Sequence, residues 1–223
     1  MNGIEERRAA FRTLMAEASV CRKCPSMCGR RAVLSEHNGA VGARVMFIGE
    51  APGRQGGDRT RVPFSGDQSG RNFTRYIASI NLAREELFIT NSALCNPRRE
   101  SGANRRPTAA EVGNCSEFLR RQIEIIDPSV VVTLGAVALA ALSRVRYHQL
   151  TLREAAGQVH DWNERLLVPL YHPSPQVLAS HRREEAQLRD YQSLARALVG
   201  GELTCESSRR RSARRDVAGQ SKL

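Results

Sequence analysis

Three groups of residues in this chain have types and spacings suited to chemistry. The first lies in Arg44 to Phe73, RVMFIGEAPGRQGGDRTRVPFSGDQSGRNF, where Glu50 follows a short apolar run and Asp58 sits in a loop rich in Gly and Arg. An ionised carboxylate beside a reacting carbon can orient water or stabilise positive charge. The second is Tyr171-His172-Pro173-Ser174-Pro175. A neutral imidazole there can donate to an oxygen that gains negative charge. The third is the cysteines: Cys21-x-x-Cys24, Cys28, Cys95, Cys115 and Cys205. No secretory leader is visible, which disfavours a disulfide framework and favours metal or cluster ligation. Four thiolates suit Zn²⁺ or an iron–sulfur cluster, and spacing alone does not choose.

The elements that must position these groups follow from the hydrophobic pattern. Val45 to Ile48, Leu87 to Thr90, Val130 to Leu134 and Leu166 to Leu170 are short apolar runs bounded by turn residues, so each predicts a buried strand. Helices are expected over residues 4–18, from Asp67 or Ser69 through Ile80, and from a Thr108/Glu111 capping box to Ile126. A short one follows Gly135, and an amphipathic one runs from Ser180 to Val199. Residues 144–165 carry turns and at most a minor strand. Strands alternating with helices predict an α/β fold, a three-layer sandwich with a central four-stranded parallel sheet. Open sheets of this kind place ligands beyond the carboxyl ends of their strands. Glu50, Asp58, Phe64, Asn91 and His172 all follow strand ends and should meet there.

With 223 residues and 41% hydrophobic content, one domain over residues 1–200 with a basic, disordered tail over 201–223 is the expectation. No apolar run is long enough to cross a bilayer. The formal charge is +11 and comes almost wholly from arginine, which points to an anionic partner, most simply nucleic acid. The terminal Ser221-Lys222-Leu223 matches a peroxisomal address, but three residues match readily by chance.

The layout resembles the uracil-DNA glycosylase superfamily, specifically its iron–sulfur members of families 4 and 5, over roughly Ala18 to Val199. Gly49-Glu50-Ala51-Pro52-Gly53 and the segment Gln122 to Leu139 are similar to family 4. The loop Gly56 to Gly70, with Arg59-Thr60, is closer to family 5, and Tyr171 to Ser174 suits either. The resemblance implies excision of uracil, or of other deaminated bases, from single- or double-stranded DNA, leaving an abasic site. It implies a structural [4Fe–4S] cluster on Cys21, Cys24, Cys95 and Cys115, with Cys28 as a rival ligand. Phe64 would stack on the extruded base, Asn91 would read its edge, and His172 would stabilise the leaving anion. Gly49, Ala51 and Ser174 would line the same pocket. Other superfamily members carry Asp two residues after the motif glycine, where this chain has Ala51, so the water falls to Asp58 or Glu50. The family-5 loop pattern favours Asp58. Arg98, Arg99, Arg105 and Arg106 would contact phosphate, as would Arg182 and Arg183 beyond a segment entering the minor groove. A covalent branch of the superfamily traps the sugar with a loop His, and no His occurs here between His37 and His148. A non-catalytic or covalent uracil-DNA-binding protein is the alternative. A monomer in the cytoplasm, near the nucleoid of a prokaryote and away from membranes, is the expected setting.

Overall fold

The computed structural model of the protein describes residues 3–199. The expected basic tail, with Cys205 and the terminal Ser221-Lys222-Leu223, lies outside the described residues. The chain opens with α1 (Gly3–Ser19), then runs through β1 (Val45–Gly49), α2 (Gly57–Thr60) and α3 (Gln68–Ala78). Next come β2 (Leu87–Asn91), α4 (Ala109–Ile126), β3 (Val130–Leu134), α5 (Ala136–Leu142) and α6 (Leu152–Ala155). The hairpin β4 (His160–Trp162) and β5 (Arg165–Leu170) follow, then α7 (Pro175–Ser180) and a last helix, α8, over residues 184–199.

The sheet order is β2-β1-β3-β5-β4. β2, β1, β3 and β5 are parallel, and β4 pairs antiparallel with β5. The sheet therefore has five strands rather than the expected four. The extra strand arises because Asn163 and Glu164 both take left-handed backbone (φ 48° and 61°), the conformation of a two-residue hairpin turn. Neither residue is glycine, so the turn carries no ordinary sequence signature.

The strands are buried along their whole length in β1, β2 and β3. Alternation within β1 divides the core. Met46 and Ile48 face α1, α4 and α5, through Phe11, Leu14, Leu119 and Leu142. Val45 and Phe47 face α3 and α8, through Phe73, Tyr76, Tyr191 and Leu194. This is the period-2 geometry of a strand covered on both sides. α3 is capped by Asp67, whose carboxylate accepts from Gly70 N–H at 2.8 Å. α4 has the Thr108/Glu111 capping box and stops at Asp127, left-handed before Pro128. The expected single helix from Ser180 to Val199 is instead two. α7 ends at Ser180, and the backbone leaves the helical path at His181 before α8 begins.

The chain passes from β1 outward to β2, then returns to place β3 on the other side of β1. The loops after β1 and β3 therefore diverge, and a crevice opens between them. β2 is an edge strand, and its outer side is covered by the turn at residues 36–39. There, buried Asn38 donates from Nδ2 to the Ile89 carbonyl (2.7 Å) and accepts from Ser35 N–H (2.9 Å). Asn38→Ala should cost about 1–3 kcal/mol, because it strands a buried carbonyl and uncovers a sheet edge. Urea denaturation checks this, and an unchanged midpoint would show that the edge needs no such cover.

Candidate active site

A cleft of about 640 Å³ lies at the carboxyl edge of the sheet. Four loop regions build it. Glu50, Ala51, Pro52 and Gly53 come from the turn after β1, and Phe64 and Asp67 from the end of the following loop. Asn91 closes β2, and Gly135 and Ala136 follow β3. Tyr171, His172 and Ser174 follow β5. Of the expected pocket residues, the cleft brings together Glu50, Ala51, Phe64, Asn91, His172 and Ser174.

Gly49 lies just behind this surface. A Cβ placed on it would stand 2.5 Å from Asn91 Oδ1 and 2.7 Å from the Phe64 ring. The Asn91 side chain is buried (3% exposed), yet among the described residues no protein group hydrogen-bonds its amide. Its amide atoms are not sealed in the core but open onto the cleft, where a ligand can meet them. The other buried asparagines are used differently. Asn38 holds the sheet edge, Asn72 donates to the Pro173 carbonyl (2.8 Å), and Asn96 donates to the Pro52 carbonyl.

Phe64 takes left-handed backbone (φ 49°), unusual for a bulky residue. Two contacts enforce it. α3 starts directly beneath the Phe64 carbonyl, where only Gly70 leaves room, and Arg84 donates to the Pro63 carbonyl. The ring rests on Phe73 (centroids 5.0 Å) and meets His172 at 5.5 Å. Burial pushes the His172 imidazole down to about 4, and the Asp67 carboxylate opposes that only in part. The ring is therefore neutral at physiological pH.

Glu50 has its backbone fixed to β2: its carbonyl accepts from Ala93 N–H (3.0 Å) and Ser92 Oγ (2.7 Å). Burial raises its carboxyl above the ordinary range, and Arg106, with Nε 3.8 Å from Oε2, pulls the other way. Asp58 is arranged differently. It lies in α2 and outside the cleft lining, with its carboxylate bonded by Arg98 and 3.7 Å from Arg61. Asp58 thus stands apart from the cleft lining, where its one helical turn aims the side chain at two guanidinium groups. Arg98 also donates to Asn96, so it is tied into this latch and is not available to phosphate. Arg105 makes a two-pronged pair with buried Glu111, which Ser26 and Thr108 also bond, and the Arg105 guanidinium holds that carboxyl near 2. Arg182 is likewise bound by Asp190. Arg99, Arg105 and Arg106 line the cleft, and Arg183 lies outside it. Ser174 lines the cleft but uses its hydroxyl to cap α7. Asp67, Asn96, Asn104 and Tyr171 also line the cleft and were not expected there. Asp67 left a trace in the sequence as a helix cap and Tyr171 as the first residue of the His172 motif; Asn96 and Asn104 left none.

A profile of the Uracil DNA glycosylase superfamily matches residues 36–195. The chain belongs to this superfamily. It is 35% identical over 156 residues to a type-4 uracil-DNA glycosylase of Thermotoga maritima, covering 69% of this chain and 76% of that one. A type-4 uracil-DNA glycosylase of Archaeoglobus fulgidus is 33% identical over 180 residues, with 77% and 85% covered. A type-5 uracil-DNA glycosylase of Pyrobaculum aerophilum is 33% identical over 150 residues, with 61% and 64% covered. Similarity to both types matches the mixed motifs of the sequence.

Superfamily membership of these types raises the question of a cluster, and the thiols provide a test. Burial raises Cys95 to about 12 and Cys115 to about 11; Cys21 and Cys24 add to both, and Cys28 to neither. These four thiols are one electrostatically coupled set. Yet among the described residues no three His, Cys, Asp or Glu groups converge closely enough to hold a single metal ion. An all-thiol set of four is the donor chemistry of an iron–sulfur cluster or of Zn²⁺.

Between pH 6.5 and about 4, the unfolded chain binds a proton on His172 that the folded chain refuses. The stabilisation from keeping this ring neutral is therefore complete above 6.5 and is lost as pH falls through that window. NMR titration of the ring should return a value near 4, and His172→Gln should flatten the acid limb of the stability curve. A ring titrating near 6.5 would rule out a neutral donor at lower pH.

Proposed function

We propose that this chain is a uracil-DNA glycosylase, hydrolysing the bond between C1′ of deoxyribose and N1 of uracil and leaving an abasic site in DNA. The observation that carries the proposal is the Asn91 amide, without a partner among the described residues and open to the cleft, beside Phe64 and a neutral His172. Its NH₂ can donate to uracil O4 while its carbonyl accepts from N3–H. Cytosine offers the opposite pattern and would leave both groups unpaired. The Phe64 face contributes about 1–3 kcal/mol of stacking, which offsets part of the few kcal/mol needed to extrude a base.

The C1′–N1 bond breaks with its electron pair going to uracil. A neutral His172 N–H stabilises the negative charge developing at O2. Glu50 orients water toward C1′, takes its proton as the C1′–O bond forms, and later returns that proton to solvent. The departing uracil anion gains a proton from solvent. Arg99 and the 72% exposed Arg106 serve as phosphate contacts at the cleft rim. Cys21, Cys24, Cys95 and Cys115 hold a [4Fe–4S] cluster, whose contribution when bound is a crosslink among the N-terminal segment, the loop after β2 and α4. Every group in this scheme comes from one chain, and a monomer is the proposed state. Among the described residues no helix is long and apolar enough to cross a membrane, and the nucleoid of a prokaryotic cytoplasm is the proposed setting.

Glu50→Gln should lower single-turnover excision from a labelled uracil oligonucleotide by at least ~10² while DNA binding survives. Asp58→Asn should lower it far less, acting only through the latch with Arg98. The reverse ranking would return the role to Asp58, and wild-type protein that releases no uracil would defeat the proposal. For the cluster, Cys115→Ala should lose both iron and thermal stability, since metal binding and local folding are linked. Cys28→Ala should keep its iron. Full iron in the first variant with loss in the second would replace one ligand by the other.

A further inference from the structure

α7 stands at the mouth of the cleft, is six residues long, and has no buried residue. A single turn and a half has little stability of its own, so it is fixed by its ends. At the front, Asn72 holds the Pro173 carbonyl and Ser174 caps the first turn. At the back, Arg182 donates from Nε and a terminal nitrogen to the two oxygens of Asp190 (2.9 and 2.6 Å). Asp190 is buried on α8, and the backbone of Gly157 lies against it: a Cβ there would stand 2.5 Å from Asp190 Oδ1. The Arg182 guanidinium also lies over the Tyr171 ring, 5.7 Å from its centroid. Tyr171 lines the cleft and directly precedes His172. One buried carboxylate therefore reaches both the rear of α7 and the strand end that carries His172.

We propose that Asp190 is a positioning residue which, through Arg182 and Tyr171, keeps α7 and His172 in place while a nucleotide is drawn out of a duplex. The inference rests on the glycosylase reading above. Extruding a paired base costs a few kcal/mol that a single strand does not demand. A mouth that yields under that load fails on duplex before it fails on single strand. The bidentate bond and the stacking both need a planar guanidinium, so lysine cannot replace Arg182.

The test is single-turnover excision by Asp190→Asn and Arg182→Lys, from uracil opposite guanine in a duplex and from the same strand alone. Both variants should lose roughly ten- to a hundred-fold on duplex, the scale of a small misplacement, and little on single strand. Hydrogen exchange should quicken over residues 173–182 while the sheet keeps its protection. Equal losses on both substrates, or unchanged exchange over 173–182, would overturn the inference. If wild-type protein cuts neither substrate, the glycosylase reading fails, and the exchange measurement still decides whether Asp190 holds this segment.

Discussion

The cleft depends on what is missing at Gly49. β1 and β2 pair in a register that sets Gly49 beside Asn91, and the Phe64 ring returns to the same point from the loop that follows β1. Any side chain at Gly49 would occupy the space that the amide and the ring already share. Three parts of the chain can thus converge behind one surface, with the polar edge of Asn91 and the flat edge of Phe64 at a fixed relation. Close packing makes that relation stiff, since interiors of this density transmit a displacement rather than absorb it. A preorganised amide pays its ordering cost during folding, so the ligand need not supply it.

The arginines divide in a way that net charge does not predict. The chain is strongly basic, yet the guanidiniums of Arg98, Arg105 and Arg182 are bound within the protein by Asp58, Glu111 and Asp190. Each pair bridges segments distant in sequence or spans a loop end, and each carboxylate is largely buried. Breaking such a pair costs more than the pair contributes, because it leaves a buried charge unmatched. They therefore fix loop position more than they add stability. Under the proposed function, phosphate contact falls to Arg99 and Arg106, which line the cleft.

Much of the fold was legible in the sequence because the strands are short apolar runs and the helices carry caps. Asp67, Thr108 and Glu111 are local signals acting on their own neighbours, and they worked. The convergence of Glu50, Phe64, Asn91 and His172 was also legible, since strand ends share an edge. Asp58 was not, because its direction depends on α2, a four-residue turn whose stability comes from surrounding packing. β4 was legible only as a minor strand somewhere in residues 144–165, because its place rests on two non-glycine residues at positive φ. The break between α7 and α8 was not, because Arg182 answers to a carboxylate eight residues away rather than to its own helix. In each case the missing information is a contact between residues that no spacing rule connects.

The same contacts explain how thiols outside the cleft bear on it. Cys95 immediately precedes Asn96, whose amide nitrogen holds the Pro52 carbonyl and meets Asn104 Oδ1 at 3.1 Å. Asn96 Oδ1 in turn receives Arg98, which binds Asp58. Asn104 Oδ1 also accepts from Arg54 N–H at 3.0 Å. The corner that follows Glu50 is therefore held at Pro52 and at Arg54 by residues of the loop that Cys95 begins. On the other flank, Ser26, two residues from Cys24, bonds the Glu111 carboxylate that grips Arg105. Whatever orders the four thiols orders this loop at both ends, and through it the backbone beside Glu50. Under the proposed function, a group bound there would act by fixing where the Glu50 carboxylate stands.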